Sequence, residues 1–279
     1  MADPILNDKT LEAARAGWAA PKAPSPGGEV WAPPSVPGAP ASDGPVSTWK
    51  GAMTINGTLS ATAVLFALLL ASATAGWLAV KENTDEFGRT EIQFPSLAMV
   101  GVVAGIGIVF ALMFKPQLAK FLAPVYAIAE GFAVGAISKA YEAYQDGIVI
   151  QAVGATLGVV AVMLVLYRTR VIRVTERFRK VIVFATLGVM AFYLVSFVIN
   201  IFGGSVRFFD EPNALGIAVS IGVSVLAALN LLLRFDFIEK GTQMGLSKDF
   251  EWYAAFGLLV TIVWLYLELL RLLSKLNQR

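Results

Sequence analysis

The stretch YAAFGLLVTIVWLYLELLRLL, residues 253–273, decides the class of this protein. Only Glu268 and Arg271 within it are charged, and the run is as long as the roughly 20 residues that a helix needs to cross the hydrocarbon core of a bilayer. A membrane strand is excluded, because the run is about twice the length of a barrel strand and its polar and apolar positions do not alternate. The stretch therefore predicts a transmembrane helix.

Six further apolar runs precede this stretch and are separated from one another by short polar segments. The whole chain of 279 residues is 57% hydrophobic and 15% charged, whereas a soluble domain carries roughly 25% charged residues. We predict an all-α, polytopic membrane protein, with residues 51–279 forming one domain of seven transmembrane helices. The predicted spans are residues 57–80, 97–114, 121–140, 147–167, 181–202, 214–234 and 253–273.

The first 50 residues differ from the rest in composition, since they hold nine of the 13 prolines amid Ala, Gly and Ser. A secretory signal has a basic start followed by an apolar segment, and these residues show neither feature. We predict a disordered tail that is available to membrane-protein partners.

Lysine and arginine are distributed unevenly between the two sides of the predicted bundle. If the tail is inside, the inner segments hold 15 of the 22 basic residues, six of them in residues 168–180. Basic residues concentrate in cytoplasmic loops, so the bias predicts a cytoplasmic N-terminus and, with seven spans, an outer C-terminus.

The absence of histidine and cysteine narrows the chemistry available to the chain. It excludes histidine proton relays, Ser-His and Cys-His nucleophiles, and metal sites built on these side chains. No lysine from Trp252 to Leu270 could bind retinal, and no GxGD segment indicates an intramembrane aspartyl protease. We expect neither an enzyme nor a bound cofactor, and a net charge of +2 does not indicate nucleic-acid binding.

Charged residues inside the spans are the candidate functional positions, because each costs about 2.5 to 3.5 kcal/mol at the bilayer centre. Glu130 has no basic residue within a turn, so it must face the bundle interior, where it either ties helices together or lines an ion path. Asp236 lies just past the sixth predicted span. Glu268 interrupts the seventh, and Asn200 is a polar residue in the fifth.

Each of the last two carboxylates has a basic neighbour on its own helix face. Lys240 lies four residues beyond Asp236, and Arg271 lies three beyond Glu268. Should the two acids meet, they would titrate as a pair and offer hard oxygen ligands for Ca²⁺. The sequence alone does not place them together.

Small residues spaced four apart recur in three of the spans, a pattern that lets helix backbones approach closely. The pairs are Gly101 and Gly105, Gly131 and Gly135, and Gly154 and Gly158.

Over residues 52–279 the sequence resembles bacterial members of the Bax inhibitor-1 family. The resemblance rests on four ordered segments: YAIAEGFAVG in the third span, VSFVINIF in the fifth, RFDFIEKG at the end of the sixth and LYLELLRLL in the seventh. It implies six helices around a central C-terminal helix, a bacterial inner-membrane location and a pH-sensitive calcium leak. Carried over to this chain, the pH sensor and gate are Asp236 and Glu268, with Lys115 as a latch.

Two departures from the family pattern affect this assignment. The acid in the seventh helix is Glu instead of the Asp that is commoner in the family. The segment between the two acids is also longer than expected for the family. If the seventh helix began at Glu251, Glu268 would lie about 25 Å along it, so that contact with Asp236 would require a late membrane entry or a broken helix.

We predict two alternative functions, the first of them implied by the resemblance. The first is a calcium leak gated by protonation of Asp236 and Glu268, with Ca²⁺ and protons as its ligands. The second is a non-conducting regulator that binds other membrane proteins through the tail and the basic loop.

Overall fold

Seven long helices occur in the part of the chain that the computed structural model describes, residues 51–84, 90–201 and 213–278. All seven are long and apolar enough to cross a membrane, which confirms the predicted all-α fold. The predicted tail, residues 1–50, lies outside the described residues. The helices are α1 (Ile55–Ala79), α2 (Ser96–Phe114), α3 (Ala119–Tyr144), α4 (Ile148–Arg168), α5 (Glu176–Ile201), α6 (Ala214–Gln243) and α7 (Phe250–Asn277).

Short elements that the apolar pattern did not predict connect some of these helices. An antiparallel hairpin of β1 (Lys81–Thr84) and β2 (Thr90–Gln93) joins α1 to α2. A single 3₁₀ turn, Pro116–Leu118, joins α2 to α3. These connections are too short to form a separate domain.

Helix α6 is longer than the predicted sixth span. It continues to Gln243, so Asp236 lies within the helix instead of just past it. The predicted span ended at residue 234, because the charged residues that follow are typical of a membrane boundary. Phe237 and Ile238 are nevertheless buried among apolar neighbours, and they keep this segment packed as helix.

The C-terminal helix α7 lies at the centre of the bundle, as the resemblance implied. It packs against α1, α3, α4 and α6. Leu259, Leu265 and Leu270, spread along its length, have no exposed surface. Residues on α7 can therefore act together with groups on several other helices.

Glycines determine how closely α1 and α3 approach. A Cβ at Gly131 would lie 2.5 Å from the carbonyl oxygen of Leu69, and one at Gly135 would overlap that of Ala73. Gly101 on α2 makes a similarly close approach to α3. The third glycine pair behaves differently: nothing lies within 4 Å of a Cβ at Gly154 or Gly158, so the prediction of tight packing was wrong there.

One end of the bundle carries the segments 115–118, 169–175 and 244–249, and we call it the basic end. Here the carboxylate of Glu251 on α7 accepts hydrogen bonds from Thr54, from the backbone N–H at 2.9 Å and from the hydroxyl at 3.0 Å. Thr54 in turn caps α1 by accepting from the N–H of Gly57. A glutamate at position 57 would usually make this reciprocal contact, but the residue is glycine and the carboxylate of Glu251 occupies the space. The start of α1 is thus capped from α7.

A pair of matched glycine substitutions tests the close packing of α3 against α1. Gly135→Ala should lower the free energy of unfolding by about 1 to 3 kcal/mol, because the added methyl overlaps the α1 backbone. Gly154→Ala should leave it unchanged or raise it by up to about 1 kcal/mol, since alanine favours helix and the site is open. Thermal unfolding in detergent measures both, and equal destabilisation would contradict the proposed contact.

Candidate functional site

Helix α5 carries polar residues at intervals of seven on one face, and these are its principal ties to the bundle. They are Arg179, Thr186 and Tyr193, and each contacts a buried polar residue on α6 or α7. Seven residues are nearly two turns, so the three side chains point in nearly the same direction. Asn200 continues this spacing, but its side chain is outside the described residues.

Asp236 forms the tie nearest the basic end. Its Oδ2 accepts from Arg179 Nη2 on α5 at 2.8 Å and lies 2.9 Å from Nζ of Lys240 on its own helix. The predicted Asp236–Lys240 pair is therefore confirmed, while Arg179 was not predicted. With side chains only 11% and 14% exposed, Asp236 and Arg179 form a largely buried ion pair that joins α5 to α6.

Two hydrogen bonds follow further into the bundle, one between two neutral side chains and one from an arginine to a threonine. Asn230 Nδ2 donates to Thr186 Oγ1 at 2.8 Å, which joins α6 to α5. Arg234 Nε donates to Thr261 Oγ1 at 3.0 Å, which joins α6 to α7. Arg234 places a positive charge in the interior of the bundle, and we find no carboxylate within salt-bridge distance of it among the described residues.

Glu268 forms the tie at the far end of this series. Its Oε1 accepts from Tyr193 Oη at 2.6 Å and from Trp264 Nε1 at 3.2 Å, and it lies 3.5 Å from Arg271 Nη1. Arg271 also donates to Tyr193 Oη at 3.0 Å and lies over the Tyr193 ring. The predicted Glu268–Arg271 pair is confirmed, and Tyr193 adds a link to α5.

Together these groups form a polar column between α5, α6 and α7, extending from Asp236 to Glu268. Two of its atoms are buried and have no hydrogen-bond partner among the described residues: Arg234 Nη1 and Glu268 Oε2. Buried polar atoms are nearly always satisfied in proteins, so these two mark positions suited to water or an ion. The column is the candidate functional site.

The structure does not bring Asp236 and Glu268 into contact. The contacts of Arg234 with Thr261 and of Lys275 with Ser220 fix the antiparallel register of α6 and α7. From that register the two carboxylates lie about 14 Å apart along the helix axes. The reason is that α7 begins at Phe250 and is continuous, so that Glu268 is raised far above Asp236. The predicted acidic pair, and a shared Ca²⁺ site formed by it, are therefore wrong for this structure.

The remaining predicted residues lie away from the column. Lys115 ends α2 as an exposed residue, and the basic contacts of Asp236 come from Arg179 and Lys240 instead. Glu130 points from α3 towards Gly105 on α2, where a Cβ would lie 2.7 Å from its Oε2. It faces a neighbouring helix as expected, but it has no hydrogen-bond or ion-pair partner in the described part of the chain.

Residues that are separate in sequence build this site, and only part of it could have been found from the sequence. Arg179 and Tyr193 were missed because Arg179 was counted within a basic loop and Tyr193 within an apolar run. Their spacing of seven, shared with Thr186, is a signal that was available. Their partners could not be read from the chain, because each lies at least 44 positions away.

The fold and the column define a polytopic membrane protein with buried carboxylates anchored across helices. A family described as Bax inhibitor 1 like matches residues 3–278, which is nearly the whole chain. The chain therefore belongs to this family. No curated protein matches it.

A double-mutant cycle tests whether Asp236 anchors α5. Arg179→Gln and Asp236→Asn should show a coupling energy of about 1 kcal/mol, the range of polar contacts between membrane helices. The control cycle pairs Arg179 with Glu176, whose carboxylate lies 3.8 Å away with 63% of its side chain exposed. That coupling should stay below about 0.5 kcal/mol, because the pair is solvated. Unfolding in detergent supplies both values, and equal couplings would argue against the anchor.

Proposed function

We propose that this protein is a pH-sensitive calcium leak in which protonation of Asp236 and Glu268 releases α5. The observation that carries the proposal is that both carboxylates, although far apart, bind the same helix. Asp236 binds Arg179 and Glu268 binds Tyr193. The two acids thus act as separate anchors of one helix instead of a contacting pair.

Helix α5 is suited to movement because few other contacts within the described part of the chain hold it. Among the described elements it packs mainly against α6. Its apolar contacts centre on Ile182 and Val183, while Val181, Phe184 and Leu194 are more than half exposed. Apolar contacts between helices add little in a bilayer, because lipid offers the same environment. The polar ties therefore contribute a large share of the attachment of α5.

Charge explains why acid should favour release. Arg179 and Lys240 both lie within 3 Å of the Asp236 carboxylate, and Glu239, Arg170 and Tyr167 surround the same end of α6. Protonation of Asp236 would leave Arg179 and Lys240 as neighbouring positive charges that repel each other. At the other anchor, protonation of Glu268 would weaken its charge-assisted bonds to Tyr193, Trp264 and Arg271.

The closed conformation should exclude cations for the same reason. Each carboxylate in the column is neutralised by a basic partner, and Arg234 adds a positive charge between them. A cation can bind the oxygens of these carboxylates, with water completing its coordination, only after the basic partners have moved away from them. Calcium is thus the transported ion in this proposal and not a resident ligand.

Calcium flux into liposomes tests the proposal. Wild-type protein should show flux that rises as the pH is lowered. Asp236→Asn removes the anchor charge permanently, so it should raise flux at pH 8 by several-fold and flatten the pH dependence. Glu268→Gln should have the same direction of effect.

Glu239→Gln is the matched control for this experiment. Glu239 is a carboxylate on the same helix, three residues beyond Asp236, but it contacts Tyr167 on α4, Arg170 in the following loop and Gln243 on its own helix. Its variant should keep the wild-type pH dependence. Unchanged pH dependence in Asp236→Asn and Glu268→Gln, or an absence of flux in the wild type, would contradict the proposal.

A second function is that of a non-enzymatic regulator of other membrane proteins. It is favoured by the position of the residues that directly follow the tail. Residues 51–53 pair with the α6–α7 connection, with Met53 N–H donating to Leu246 O at 2.6 Å and Lys248 N–H to Gly51 O at 2.9 Å. The tail is therefore attached at the basic end, which we assign to the cytoplasm from its charge. Deleting residues 1–50 separates the two functions: a regulator loses partner capture in a pull-down, whereas a leak keeps its flux.

A further inference from the structure

A cavity of about 350 Å³ opens at the basic end, between the end of α4, the loop 169–175 and the last turns of α6. Arg170, Arg173 and Lys240 contribute positive charges to its lining, and Asp236 and Glu239 contribute negative ones. The volume lies in the range of pockets that bind small molecules or head groups.

Both carboxylates of the lining are already engaged with protein partners. Asp236 binds Arg179 and Lys240, and Glu239 binds Arg170 at 3.1 Å together with the Tyr167 hydroxyl. The lining itself holds three basic side chains and two acidic ones. The cavity is therefore positively charged overall.

Arg173 is the group that remains available to a ligand. Its side chain lines the cavity but makes no hydrogen bond or ion pair with any described residue. Val174 lines the same wall just before α5, where Thr175 caps the helix by accepting from the N–H of Phe178 at 3.2 Å. The backbone that leads into α5 thus forms part of the cavity wall beside Arg173.

The backbone around Arg170 is also unusual. Arg170 has φ = 55°, and it is the only residue other than glycine with a positive φ in the described part of the chain. Side chains disfavour this left-handed conformation, which here directs Arg170 towards Glu239. The loop is thereby held against α6, and the open side of the cavity is kept in shape.

The wall of the cavity also has an apolar part. Ile172 and Val174, in the loop and at the approach to α5, contribute apolar surface to the lining. A ligand whose charged group enters the cavity could lay an acyl chain along these residues. A free anion would gain nothing from them, since its contacts end at the basic side chains.

We propose that this cavity binds the phosphate of an anionic phospholipid, with Arg173 as the principal contact. Guanidinium groups match phosphate oxygens in pairs, and basic pockets between membrane helices suit lipid head groups. The Arg170 and Lys240 side chains at the rim complete the positive surface. This inference does not depend on ion conduction and would hold for a non-conducting protein.

Binding of a chain-labelled phosphatidylglycerol to the detergent-solubilised full-length protein tests the site. Arg173→Ala should weaken binding by about fivefold, the contribution of one basic residue near an anionic lipid. Arg177→Ala is the matched control, because Arg177 is an exposed arginine of the same basic segment that does not line the cavity. It should change binding by less than about twofold, since an exposed charge outside the cavity is screened by salt.

A second variant and two competitors, one a lipid and one an ion, complete the test. Gln243→Glu adds a negative charge to the lining without altering Arg173, so it should also weaken binding. Zwitterionic phosphatidylcholine should compete poorly, and so should inorganic phosphate at millimolar concentration. Equal losses in Arg173→Ala and Arg177→Ala would indicate diffuse surface attraction and overturn the site. Competition by inorganic phosphate as strong as by the lipid would overturn the lipid assignment.

Discussion

A carboxylate within a membrane must carry a proton or meet a positive partner, and the arrangement of α5, α6 and α7 depends on this constraint. Asp236 and Glu268 both occupy low-exposure positions, and each is surrounded by donors from more than one helix. Since each site needs a group from α5, the position of α5 is set by the two charges. The central helix α7 contributes one of the acids and holds the other in register through α6.

The two halves of the bundle associate by different physical means. Helices α1 and α3 approach until backbone atoms touch at Gly131 and Gly135, and such contacts have no titratable group. Helix α5 instead makes polar contacts at three levels and presents an apolar surface elsewhere. A change of proton concentration can therefore act on α5 and leave the α1–α3 packing unaffected. This difference gives the proposed leak both a movable element and a rigid frame.

The basic end joins several features that the sequence presents as unrelated. The capping of α1 by Glu251, the anchoring of residues 51–53 and the Asp236 ion pair all lie there. The proposed lipid cavity shares Lys240 and Asp236 with the proposed α5 anchor. A lipid phosphate in the cavity would add negative charge beside Lys240, so lipid composition and protonation would act on the same ion pair.

Local patterns accounted for the parts of the site that lie on one helix. The partners Lys240 and Arg271 were predictable, because residues three or four positions apart share a helix face. Arg179 and Tyr193 were not assigned, since a helix can rotate to present either face until its neighbours are known. The pairing of Asp236 with Glu268, taken from the family resemblance, was wrong for a similar reason. It depends on the relative height of two antiparallel helices.

The sequence by itself determined the seven spans, the need to satisfy each buried charge and the absence of histidine and cysteine chemistry. These follow from hydropathy and composition, which are properties of the chain at each position. Only the tertiary structure decided which charges meet, because the register of α6 against α7 and the rotation of α5 are set by packing between distant segments. It separated the two carboxylates along the bundle and gave them a common partner in α5.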